Sequence, residues 1–86
     1  MHETGLMREL MRRAELEVGE GRQRVKSLHF EIGALSGVGS EWVERAALHY
    51  AREWWGYTPE VLVEQAHDPT DPHALGVTLR SVRLGR

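Results

Sequence analysis

The 86-residue chain has no cysteine. That absence excludes disulfide staples, zinc ribbons, thiolate-held iron–sulfur clusters and thiol nucleophiles together. The fold must stand on an apolar core, helped at most by an oligomer or a thiol-free metal site. No apolar run approaches the roughly 18 residues that a membrane span needs. Charge of one sign is also lacking: the formal net charge is −2, too near balance for a nucleic-acid binder. Lysine is almost absent. Of eleven basic residues only Lys26 is Lys, and the arginines are scattered, with Arg22, Arg24 and Lys26 the densest group. The start, Met-His-Glu-Thr, has neither a basic region nor an apolar region of signal-peptide type, so the cytoplasm is the expected compartment.

What remains is ordinary for one globular domain spanning residues 1–86. Hydrophobic residues make up 41% and charged residues 28%, which argues against disorder. No repeat, linker or low-complexity segment divides the chain.

Leu6, Met7, Leu10, Met11, Ala14 and Val18 recur at helical spacing, predicting a helix over 4–18. Thr4 is its expected N-cap, and Gly19 and Gly21 offer a left-handed stop. Over 24–34 the period falls to two. Leu28, Phe30, Ile32 and Ala34 alternate with Ser27, His29, Glu31 and Gly33, which predicts a strand with one wet face. Gly33, Gly37 and Gly39 then mark a loop with unusual backbone geometry. Helical spacing returns over 41–55 through Val43, Ala46, Ala47, Tyr50, Ala51 and Trp54, with Ser40 the expected N-cap and Gly56 the stop.

Strands are expected over 60–66, with Val61 and Val63 facing the core, and over 75–84. Asp68-Pro69-Thr70-Asp71-Pro72 forms a turn cluster between them. The last strand changes parity: Val77 and Leu79 share one face, Val82 and Leu84 the other. Either a β-bulge lies near Arg80 and Ser81, or both faces are partly covered. The fold class is therefore α+β: a three-stranded mixed sheet with two helices packed on one face, in the order α-β-α-β-β. The second helix crosses over right-handed between two parallel strands, and the last two strands are expected to form an antiparallel hairpin.

Several residues could carry chemistry. Met1-His2-Glu3 places an imidazole beside an α-amine. An amine, deprotonated amides and an imidazole form a planar nitrogen set suited to Ni(II) or Cu(II), with Glu3 as an oxygen donor or as an acceptor that holds the ring. The alternative is a frayed terminus with an incidental histidine. His67 and His73 bracket Asp68 and Asp71, and could form a secondary metal site or simply a solvated turn. His29 and Glu31 share the wet strand face, where such a pair could bind a metal or a partner. Trp54 is expected in the core and His49 in solvent. Trp42 and Trp55 point elsewhere, so at least one is a candidate interface residue, unless it lies over the sheet edge. There is no P-loop, HExxH motif or convincing Ser-His-Asp order, so an enzyme is not expected.

Met1-His2-Glu3, the amphipathic helix after it, and Leu28-His29-Phe30-Glu31-Ile32-Gly33-Ala34-Leu35-Ser36-Gly37-Val38 together resemble the HypA/HybF family. The likeness continues through the second helix and Val61-Leu62-Val63-Glu64, and resumes at Val77 to Leu84. These are nickel metallochaperones for maturation of nickel–iron hydrogenase and, in some bacteria, urease. The resemblance implies a nickel site at the Met1 amine, the amides of His2 and Glu3 and the His2 imidazole. It also implies docking on a maturation GTPase (HypB in the family) and the hydrogenase large subunit. Two departures stand out. The family's zinc domain, with its two CxxC pairs, is replaced here by a turn over 68–74, so structural zinc is excluded. The acidic residue often found after the loop valine is Gly39 here, with Glu41 nearby. Two functions are thus expected as alternatives: a zinc-less nickel-binding maturation factor, or a scaffold that docks a maturation partner without carrying nickel. No nucleic acid and no membrane is expected, and an exposed last strand leaves a homodimer open.

Overall fold

The computed structural model describes residues 3–19 and 23–86, without the side chains of Glu3 and Thr4. Helix α1 (Glu3–Val18) and helix α2 (Ser40–Trp55) pack on a sheet of β1 (Arg24–Ile32), β2 (Glu60–Gln65) and β3 (Val77–Gly85). The α-β-α-β-β order and the mixed three-stranded sheet match the sequence reading.

The apolar stripes do the packing. Met7, Leu10, Met11 and Ala14 of α1 and Val43, Ala47 and Ala51 of α2 are buried against Val25, Leu28, Phe30 and Ile32 of β1. No polar or charged residue is buried among the described residues, so the core demands no internal hydrogen bonds from side chains. The expected stops hold at Gly19 (φ 61°) and Gly56 (φ 75°), whose N–H donates to the carbonyls of Ala51 and Arg52. Gly21 lies outside the described residues.

Both expected N-caps are corrected. Thr4 sits within the first turn of α1, because the helix already includes Glu3. At α2 the cap is Gly39, in extended geometry, whose carbonyl accepts the Val43 N–H. Ser40 is the first helical residue, and no side chain caps the end.

The sheet order is β2-β1-β3, which overturns the expected hairpin between the last two strands. β1 runs parallel to β2 and antiparallel to β3, and separates them. The physical reason lies in β1. Leu28, Phe30 and Ile32 are fully buried, so this strand takes the centre, where both of its edges are paired. Residues 66–76 then pass across its end to reach the far edge. Crossing two strand spacings needs only about 10 Å, well within the reach of that segment.

The parity slip in β3 is a bulge. His29 pairs with Ser81 and Phe30 with Leu79, leaving Arg80 as the extra residue. The shift returns Val82 and Leu84 to the side of Leu79, and all three pack against the core. A second shift, between Val25 and Ser27, leaves Lys26 extra in β1 and lets Val25 face the core off-parity.

The directions of the elements define two ends. The Tyr57 hydroxyl accepts the Val25 N–H at 2.9 Å, which puts the finish of α2 beside the start of β1. The finish of α1 lies at the same end, since only residues 19–23 separate it from β1. Both helices therefore begin at the opposite end, where β1 stops. The body measures 39 × 19 × 18 Å. A nine-residue strand spans about 30 Å and a sixteen-residue helix about 24 Å, so the long axis follows the strands.

Candidate functional site

Two segments meet where β1 stops, the loop over 33–39 leading into α2 and the connection over 66–76, and α1 starts at the same end. Backbone bonds tie the loop and the connection together. Gly33 N–H donates to the Gly76 carbonyl, Leu35 N–H to Ala74 and Ala66 N–H to Ile32, each at 2.8 Å. The Gln65 amide adds a bond to the Ala66 carbonyl at 2.8 Å and weaker ones to Ile32 and Gly33.

Each loop glycine has a different purpose. A methyl group at Gly33 would overlap the carbonyl oxygens of His73 and Ala74, so the connection crosses here only because no side chain is present. Gly37 takes the left-handed conformation (φ 73°), and Gly39 is the helix cap. The three glycines mark a loop in the sequence, but the segment that crosses the first, at His73 and Ala74, lies far along the chain.

Of the residues expected to hold nickel, Met1 and His2 lie outside the described residues, as does the side chain of Glu3. The Glu3 backbone opens α1 and so belongs to this end. His67 and His73 are both exposed on the crossing connection. The carboxylates between them are committed to the turn. Asp68 Oδ1 accepts the Thr70 N–H at 2.9 Å and its hydroxyl at 2.6 Å, and Asp71 Oδ1 accepts the His73 N–H at 2.7 Å. The Thr70 hydroxyl, and then its N–H, hold the Asp68 carboxyl below its ordinary pKa. Among the described residues, no group of three or more His, Asp or Glu side chains is gathered to hold a metal.

The outer sheet face, away from the helices, places His29 against Glu64 of β2 instead of Glu31. Nε2 lies 2.5 Å from Glu64 Oε1. The contact lacks directed hydrogen-bond geometry, and the ring nitrogen is otherwise covered. It is a close polar contact across two parallel strands.

The tryptophans part company. Trp55 donates its indole N–H to Glu15 at 3.0 Å, joining α2 to α1, and its ring lies 5.9 Å from that of Tyr57. Trp54, expected in the core, is half-buried: it packs on Tyr50 and carries the Arg12 guanidinium 5.3 Å above its ring. His49 is exposed, as expected. Trp42 is 37% exposed and, with Gly37, Val38 and Gly39, lines an open depression of about 300 Å³ at the start of α2. Two further residues of this end stand out: Leu35 (56% exposed), in the expected loop but without a role assigned from the sequence, and Leu75 (79% exposed), expected to open the last strand but lying before β3 begins at Val77.

No described helix is long and apolar enough to cross a membrane. No protein-family model matches the chain, and neither a curated protein nor a solved structure does.

Proposed function

We propose that the chain is a HypA-like nickel-binding domain that assists metal insertion during maturation of nickel–iron hydrogenase, with nickel as its cargo. One structural observation supports the reading beyond the sequence resemblance. The helix that opens at Glu3 begins at the same end as the Gly33–Val38 block and the turn that stands where the family carries its zinc domain. The described part of the opening segment thus shares one end of the fold with the Gly33–Val38 block.

The donor set fits the metal. The Met1 amine, the amides of His2 and Glu3 and the His2 imidazole supply four nitrogens, a set that suits d⁸ Ni(II) and does not need thiolates. Each donor must lose a proton to bind, so affinity falls as pH drops through the imidazole range. The proposed partners are a HypB-like GTPase and the hydrogenase large subunit, and the proposed compartment is the cytoplasm.

The test is a Ni(II) titration of protein carrying Met1 as its free first residue, with Cu(II) and Zn(II) as competitors. His2→Ala is expected to weaken Ni(II) binding at least a hundredfold. An N-terminal extension, which converts the amine to an amide, should do the same. Equal binding by His2→Ala would remove the nickel site and leave the docking-scaffold reading.

A further inference from the structure

Charge is segregated along the chain in a way that folding turns into a surface. Neither residues 27–44 nor residues 53–79 contain Lys or Arg, yet together they hold eight of the thirteen carboxylates. Both crossing segments at the end of β1 belong to these stretches. This end therefore carries exposed Asp68 and Glu41 and half-exposed Asp71. The nearest Arg residues are Arg8, exposed on the second turn of α1, and Arg45 of α2, which lies 3.7 Å from Glu41 in a solvent-exposed pair; the exposed imidazoles of His67 and His73 flank the two aspartates. The opposite end holds Arg24, Lys26, Arg83 and Arg86, all exposed.

The same end displays apolar surface. Leu35 and Leu75 stand out on adjoining segments, since Leu35 N–H is bonded to the carbonyl of Ala74. Trp42 and Val38 wall the depression beside them. Among the five large hydrophobic residues that are exposed in the described chain, three belong here. Exposed aromatic and aliphatic anchors with a charged rim are the makeup of a protein-docking site.

We propose that this end docks a cationic, apolar segment of a partner protein, with Leu35, Trp42 and Leu75 as anchors and Asp68, Asp71 and Glu41 as the steering rim. Charge complementarity selects the occupant: an acidic rim repels anionic lipid, nucleic acid and acidic peptides, and draws Lys- and Arg-bearing segments. The proposal does not depend on nickel, because it uses none of the proposed metal donors.

The experiment uses the metal-free, isotopically labelled 86-residue protein and two synthetic helical peptides. One carries Leu at i, i+3, i+4 and i+7 spacing with Lys on the opposite face; the other has Glu at every Lys. Backbone amide shifts are followed by NMR during titration. The Lys peptide is expected to shift Leu35, Val38, Trp42 and Leu75, and to weaken at least fivefold between 50 and 300 mM salt, on the order that screening of exposed charges allows. The Glu peptide should bind at least tenfold more weakly. A Leu35→Ser, Leu75→Ser variant should lose at least tenfold in affinity, and Asp68→Asn, Asp71→Asn a few-fold, with the melting profile of each variant checked against the parent. Three results would overturn the proposal: equal binding of both peptides, shifts centred on the outer sheet face around Leu62, or full affinity in the Leu-to-Ser variant. Concentration-dependent self-association that Arg83→Glu, Arg86→Glu abolishes would also overturn it, by assigning the acidic end to the basic end of a second copy.

Discussion

The two ends of the molecule are built by different means. Where the helices finish, side chains hold the structure. Trp55 bonds Glu15, Arg12 covers Trp54, Arg24 lies 5.1 Å over Tyr57, and Tyr57 receives the first buried amide of β1. Where the helices begin, the two crossing segments are joined chiefly by backbone, through the three 2.8 Å bonds at Gly33, Leu35 and Ala66, with the Gln65 amide and the turn carboxylates of Asp68 and Asp71 adding local bonds. The consequence is a division of labour. Apolar and aromatic side chains packed for fastening are not free to anchor a partner. At the other end the main chain does the fastening, and Leu35, Leu75, His67 and His73 are left facing outward.

The comparison can be broken most sharply at Gly33. Gly33→Ala puts a methyl into two backbone carbonyls that cannot swing aside as a side-chain tip would. Chemical denaturation should show a loss of about 3 kcal/mol, the upper part of the usual overpacking range. Amide exchange should quicken at Leu35 and Gly76 before it does at Val25. If the loss is below 1 kcal/mol, the crossing is looser than the geometry shows.

A smaller effect is expected at the other end. Tyr57→Phe keeps the ring under Arg24 but leaves the Val25 N–H without its acceptor. The cost should be about 1 kcal/mol in denaturation, with faster exchange at Val25 and no change at Gly33. Equal exchange changes at both ends would mean that the ends do not open independently.

The smallest effect concerns pH. Hydrogen bonds from Thr70 hold the Asp68 carboxyl below its ordinary value, so its ionised form favours the fold. That contribution is complete above the carboxyl's unfolded pKa and is lost as pH falls through the lower, folded one. Stability of the parent minus that of Asp68→Asn should therefore be positive at neutral pH and shrink in acid. A flat difference would show that the Thr70 bonds do not discriminate between the two protonation states.

Much of the fold was legible because it is written at short range. The Met7, Leu10, Met11 and Ala14 stripe needs only the 3.6-residue period of a helix to declare itself. The break of parity between Leu79 and Val82 likewise narrows that strand to a bulge near Arg80 and Ser81 or two covered faces, and the pairing with β1 shows the bulge. The candidate nickel donors were legible as residue types and spacing, while the exposed anchors Leu35 and Leu75 were not. Their exposure depends on where the connection passes, and nothing within a few residues of either specifies that.

By itself, then, the sequence determined the elements, their boundaries to within about two residues, the inward faces and the absence of any thiol-based chemistry. These follow from neighbours in the chain, where backbone periodicity turns composition into faces. Only the tertiary structure decided that β1 is central, that residues 66–76 cross at Gly33, and that two cation-free stretches lie side by side. Strand order is a competition among distant segments for the paired, buried position. β1, whose Val25, Leu28, Phe30 and Ile32 are all buried, holds it, and the acidic, apolar end of the molecule is a consequence of that outcome.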